Sequence, residues 1–181
     1  MIPRIWKTQP CEEGAADRLA RELGVSAITA RLLVIRGLGD VDAARRFLAP
    51  SLDQLLDPFR LAGMEQAVVR LERAIAQGER IAVHGDYDVD GITSTVILRR
   101  TLELLGGDVI HFVPERLRDG YGLQPATFDR LKADGVQLVV SVDCGIRAAE
   151  AARHARALGI DLIVTDHHEP DDELPDAVAV V

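Results

Sequence analysis

Aromatic side chains make up only 4% of this 181-residue chain, which leaves little surface for stacking on nucleobases. Two cysteines, Cys11 and Cys144, stand far apart. That excludes a disulfide framework and agrees with a reducing compartment. No apolar run approaches the roughly 20 residues of a membrane-spanning helix, and the N-terminus lacks the apolar stretch of a signal peptide. The expectation is a cytoplasmic protein with no membrane partner. Positive charge is also short, at 21 Lys and Arg against 29 Asp and Glu, for a net charge of −8. Taken alone, that argues against wholesale neutralisation of nucleic-acid phosphates by side chains. The objection weakens if divalent cations sit among the carboxylates, because bound ions invert the local electrostatics. Neither G-x-x-x-x-G-K-[ST] nor G-x-G-x-x-G occurs, so a Walker loop and a dinucleotide fingerprint are excluded. There is no internal repeat and no low-complexity segment. What is present is 48% apolar with mean hydropathy +0.07, enough for a globular core.

The first part of the chain is helical in pattern. Ala15 to Leu23 reads as an amphipathic helix stopped by Gly24, and Ser26 caps the next, which runs to about Arg36. Asp40 to Phe47 and Ala62 to Ala76 follow, the latter with Met64, Ala67, Val68, Leu71 and Ile75 at helical spacing. Residues 1–78 are therefore expected to form a helical lead-in, and 79–181 an α/β domain. From Arg80 the pattern alternates, with strands expected at 80–84, 108–113, 137–142, 160–164 and 177–181. Helices at about 92–105, 124–133 and 146–158 separate them. Apolar strands joined by helical crossovers imply a parallel sheet with helices on both faces, a Rossmann-like arrangement whose ligands gather at the carboxyl ends of the strands. A chain stopping on a strand is expected to be a fragment.

Three clusters of acid and imidazole fall at those ends: His84-Gly-Asp-Tyr-Asp-Val-Asp-Gly91, Val142-Asp-Cys-Gly145 and Thr165-Asp-His-His168. If the first segment is extended, Asp86, Asp88 and Asp90 share one face, and three carboxylates repel unless cations or protons neutralise them. Thr93, Ser94 and Thr95 are expected to open the next helix, whose free N–H groups and hydroxyls suit an anion. Asp143 either caps the helix that follows it or bridges two ions. Imidazole with carboxylate suits Mn²⁺, Mg²⁺ or Zn²⁺, and a majority of oxygen ligands favours the first two. The loop Pro114 to Leu123 adds Arg116 and Arg118, able to grip phosphates, and Tyr121, able to stack; its plainer reading is a Gly-rich turn with solvated arginines. Cys144 reads as a buried filler. Arg70, Arg73, Arg99 and Arg100 read as solvated helix faces, and His111 and His154 as ordinary strand and helix residues.

In that order and spacing, GDYDVDG, SVDCGI and TDHHE resemble motifs I to III of the DHH phosphoesterase superfamily. The stretch from Arg36 to Gly91 and the later ERLRDGYGL resemble its RecJ branch, 5′→3′ exonucleases specific for single-stranded DNA. The resemblance implies a DHH domain and two Mn²⁺ or Mg²⁺ ions. His84 and Asp88 would hold one ion, Asp90 and His167 the other, and Asp143 would bridge them. His168 would face the scissile phosphate, with Asp166 orienting it; Asp86 would ligate metal or support a ligand. Thr93, Ser94, Arg116 and Tyr121 would lie along the nucleic-acid path. The family's fourth motif and later domains are not in this sequence, so the piece alone is expected to be weak or inactive. Two alternatives remain open: another DHH phosphoesterase acting on pyrophosphate, short oligonucleotides or cyclic dinucleotides, and a non-catalytic scaffold that docks other proteins.

Overall fold

A computed structural model of the chain describes residues 7–115, 120 and 122–181. It divides into two compact units, Met1–Leu56 and Asp57–Val181. The first holds α1 (Glu13–Leu23), α2 (Ala27–Ile35) and α3 (Val41–Leu48). Gly24 ends α1 in the left-handed region, Ser26 caps α2 through Thr29 N, and Asp40 caps α3 through Ala43 N. Ala16, Leu19, Ala30, Leu33 and Ala44 form its core.

The second unit contains α4 (Met64–Gln77), β1 (Arg80–Gly85), α5 (Val89–Leu104), β2 (Asp108–Phe112), α6 (Pro125–Ala133), β3 (Val136–Val142), α7 (Ala149–Ala157), β4 (Asp161–Thr165) and β5 (Ala179–Val180). All pairings are parallel, in the order β2-β1-β3-β4-β5. Side chains alternate across the sheet, so each strand feeds two cores. Ala82, Val139, Leu162 and Val164 meet Phe128 and Leu131 of α6 and Ala151, Ala152 and Ala155 of α7. Ile81, Val83, Leu138, Val140 and Ile163 meet Ala67 and Ala74 of α4 and Leu102 of α5. Helices cover both faces, as the alternating grammar implied. Among the described residues, no helix is long and apolar enough to cross a membrane.

The compact units divide after Leu56, and α4 buries Ala67 and Ala74 on the sheet. One expectation needs correcting here: Arg70 is not solvated. It is 8% exposed, and it donates from Nε to Asp161 Oδ2 at 2.6 Å and from Nη2 to Glu79 Oε2 at 2.5 Å, tying α4 to the start of β4. Burial opposes the guanidinium charge, but the two carboxylates hold its pKa above the ordinary arginine value. Removing one member of a buried ionic network strands the others, so Arg70→Ala should cost about 3 kcal/mol. Replacing Arg70 and Glu79 together by Met and Leu should cost less. Urea unfolding followed by circular dichroism measures both; a loss below ~1 kcal/mol for Arg70→Ala would rank the network with surface pairs.

Candidate metal centre

Strand register builds the site. Gly85 pairs with Val142, and Val142 with Thr165. The residue after each of these is an aspartate, so Asp86, Asp143 and Asp166 stand in a row at the carboxyl rim, with neighbouring strands about 4.8 Å apart. The chain leaves β1 toward β2 on one side and returns to β3 on the other. The row thus straddles the point where strand order reverses, the usual seat of a ligand in open parallel sheets.

Each aspartate has a different environment. Asp86 is 3% exposed, and its Oδ1 is buried with no hydrogen-bond partner among the described residues. Asp143 adopts φ 60°, an uncommon left-handed conformation for a residue with a Cβ, and its N–H donates to Thr165 O at 3.0 Å. Its Oδ1 lies 2.9 Å from His167 Nε2. Burial, and then the charge of Asp88, push the Asp143 carboxyl upward, and the hydrogen bond from His167 offsets part of that rise. Asp166 is the most fully engaged. Its Oδ2 accepts from Ile146 N at 2.9 Å, and its Oδ1 accepts from His167 N at 2.8 Å, His168 N at 3.1 Å and His168 Nδ1 at 2.7 Å. Burial alone would raise Asp166, but these donors together hold it below the usual carboxylate range. An ionised carboxylate only accepts, so Nδ1 of His168 carries a proton and Nε2 is left for other chemistry. The same hydrogen bond raises the His168 pKa.

The first motif is not an extended run with three carboxylates on one face. Asp88 instead caps α5, its Oδ1 accepting from Asp90 N at 3.0 Å and Gly91 N at 3.1 Å. Those donors hold its pKa down, and its carboxylate interacts with Asp143 and His168. Asp90 falls in the exposed first turn. The helix begins at Val89, so Thr93 and Ser94 lie beyond its first turn and the expected anion seat is taken by Asp88. Thr93 Oγ1 donates to Val89 O at 2.7 Å, and Thr95 Oγ1 to Gly91 O at 2.7 Å. The crossing of β1 and α5 admits no side chain at Gly91, where a Cβ would lie 2.5 Å from Asp86 N.

Asp143, His167 and His168 each offer a ligand atom within 4.8 Å of the others. Ser94, Val142, Asp143, Thr165, Asp166 and His167 line an open cleft of about 220 Å³. Ser94 and Asp166, both named from the sequence, line this cleft, and Asp88, named likewise, interacts with Asp143 and His168. Among the described residues, Asp90 makes no side-chain hydrogen bond or ion pair with this group. His84 is fully buried in β1, with Phe112 at 5.1 Å between ring centroids and Cys144 Sγ 3.9 Å from Nδ1. It lies outside the group of converging ligand atoms. Arg116, Arg118 and Tyr121 lie outside the described residues. Cys144 is a filler, its thiol pushed up by burial and by the surrounding carboxylates. Sequence reasoning missed Arg147, which lines a second, smaller cleft with Asp166 and His168; no motif marks it in the sequence.

A divalent ion fits these residues. The buried, unpartnered Asp86 Oδ1 is costly unless something positive meets it, and a set of carboxylate oxygens with imidazole suits Mn²⁺ or Mg²⁺.

A family model described as the DHH family, N-terminal domain, matches residues 80–181. The chain belongs to the DHH family. Its relatives include the single-stranded-DNA-specific exonuclease RecJ of Bacillus subtilis, 40% identical over 97% of this chain and 22% of the relative. RecJ of Salmonella typhimurium is 45% identical over 83% of this chain and 26% of the relative. The chain thus spans about a quarter of the length of the curated relatives it matches. Among solved structures, RecJ from Thermus thermophilus in complex with Mn²⁺ superposes with a TM-score of 0.71 at 34% identity, over 92% of this chain and 23% of that one. An exonuclease RecJ bound to manganese gives 0.65 at 42% identity, over 70% and 32%.

Asp166→Asn replaces an acceptor facing either the Ile146 N–H or the histidine donors with an NH₂ group. Because Asp166 orients both histidines, Mn²⁺ affinity should fall roughly ten- to hundred-fold, measured by isothermal titration calorimetry. A depressed carboxyl contributes stability above its unfolded pKa near 3.9, and that stability is lost as pH falls through the lower folded value. The acid limb of an unfolding curve should therefore flatten in the same variant, and an unchanged limb would contradict the role given to Asp166.

Proposed function

We infer that this chain is the motif I to III part of a 5′→3′ single-stranded-DNA exonuclease that hydrolyses phosphodiesters with two Mn²⁺ or Mg²⁺ ions and works in the cytoplasm. The observation that carries the reading is the convergence of Asp143, His167 and His168 ligand atoms within 4.8 Å, beside Asp88 and the unpartnered oxygen of Asp86. The RecJ relatives, and RecJ structures holding Mn²⁺ or Mg²⁺, support the choice of substrate and ion.

Asp88, Asp143 and His167 would hold the ions, with Asp143 as bridge, a reading supported by the meeting of Asp143 with His167 and with Asp88; the family resemblance adds His84 and Asp90. Ions bound there supply Lewis acidity, which activates water and screens charge developing on phosphate oxygens. His167 Nε2 lies 2.9 Å from Asp143 Oδ1, and it can ligate only when it carries no proton. His168, fixed by Asp166 through Nδ1, presents Nε2 as a hydrogen-bond donor to a phosphate oxygen. Asp86 serves from its buried position as a ligand or as a charge beside one. Ser94 at the cleft and Thr93, Arg116 and Tyr121 along the strand path are assigned to nucleic-acid contact. The remaining three-quarters of the relatives' length would supply the rest of the site, so the 181-residue chain alone should be weak or inactive.

The test uses a protein of the relatives' full length that carries this chain, assayed on 5′-phosphorylated single strands, pyrophosphate and cyclic dinucleotides. Single strands should be the preferred substrate. Asp143→Ala and Asp90→Ala should each lower the rate roughly a thousand-fold, the equivalent of several kcal/mol of lost charge stabilisation, with circular dichroism unchanged. Preference for pyrophosphate or dinucleotides would shift the reading to another DHH phosphoesterase. Wild-type rates in both variants would remove the site.

A further inference from the structure

The carboxylates that hold metal also repel a phosphate chain, so a substrate needs cationic contacts beyond the ions. Arg147 is placed to provide one. Its backbone sits in the most tightly fixed part of the rim: Ile146 N donates to Asp166 Oδ2 at 2.9 Å. Gly145, at φ 117°, has no room for a Cβ, which would meet Ser141 Oγ at 2.6 Å. Arg147 Nε donates to Glu169 O at 2.6 Å and lies 3.6 Å from Asp171 Oδ1. Among the described residues, Nη1 and Nη2 make no hydrogen bond. With Gly145, Ile146, Asp166 and His168, Arg147 lines the smaller cleft of about 60 Å³, and its charge acts on His168.

One nitrogen anchored and two left over is the arrangement in which a guanidinium fork meets a phosphate. Arg153 and Arg156 pair with Glu173 and Asp176 through Nη1, the end of the fork that makes no hydrogen bond in Arg147. On its other side Arg147 borders a hollow shared with Asp171, Asp172 and Glu173, where an anion would be repelled. The favourable seat for phosphate is therefore on the His168 side.

We propose that Arg147 is a substrate-contacting residue, its free guanidinium nitrogens binding the phosphate next to His168. The proposal rests on the exonuclease reading and adds to it a cationic contact outside the metal ligands. A protein of the relatives' full length that carries this chain, loaded with Mn²⁺, is titrated with a phosphorothioate oligothymidylate by fluorescence anisotropy at several salt concentrations. Arg147→Ala should weaken binding about ten-fold, as loss of a charge-assisted pair does. It should also make the slope of log affinity against log salt shallower by about 0.7, the loss of one single-strand phosphate contact. Arg147→Lys should recover part of the affinity, and Arg153→Ala should leave the slope as in wild type. Calorimetry should show Mn²⁺ affinity not weakened in Arg147→Ala. Wild-type affinity and slope in Arg147→Ala, or a parallel loss of Mn²⁺ binding, would overturn the Arg147 assignment alone. Failure of the Mn²⁺-loaded wild type to bind the strand would overturn the exonuclease reading and this contact together.

Discussion

Parallel pairing of β1, β3 and β4 in one register sets three aspartates side by side, and the rest of the site answers that crowding. Three carboxylates one strand apart repel strongly, and the fold meets the repulsion differently at each position. Asp166 is satisfied by backbone and imidazole donors. Asp143 shares His167 and is pushed toward protonation by burial and by Asp88. Asp86 keeps an oxygen for which the described residues provide no donor. A helical cap that spends Asp88 on the α5 amides adds a fourth carboxylate to the group. Such a concentration of uncompensated negative charge is costly in a bare protein and favourable around divalent ions.

Rigidity under the row matters as much as its charge. Gly91 lets α5 cross against the backbone of Asp86 with no intervening side chain, and Thr95 closes the turn onto Gly91 O. Asp166 ties the turn after β3, through Ile146 N, to the turn after β4, through both histidines. The loops after β3 and β4 are thereby coupled, which is how a metal site holds ligand atoms in place before an ion arrives. On the proposed reading, ions bound at the rim would reverse the sign of its field and Arg147 would extend it, which is how an acidic protein could act on a polyanion.

Much of this was legible in the sequence, because strand–helix alternation is a strong periodic signal and each acidic cluster directly follows an apolar strand. The sheet, its helices on both faces and the meeting of Asp143, His167 and His168 all follow from that pattern. The first motif was less legible. Read as extended, Asp86, Asp88 and Asp90 share a face, yet Asp88 is a strong helix cap, and capping turned the segment into a helix start that leaves Asp90 in an exposed turn. The packing of α4 on the sheet was hidden because α4 has the same amphipathic spacing whether it packs on other helices or on a sheet. Arg70 could not be recognised as buried, since its partners Glu79 and Asp161 are 9 and 91 residues away in sequence. Arg147 carried no motif signal of its own, and its relevance comes only from where the turn after β3 places it.

The measurement that bears most directly on the central claim is anomalous diffraction from crystals of this chain grown with Mn²⁺. The account predicts an anomalous peak at the carboxyl rim with Asp143 and His167 at about 2.2 Å. It would be contradicted by crystals that show no peak there at saturating Mn²⁺, or that place the ion only among the exposed acids Asp171, Asp172 and Glu173.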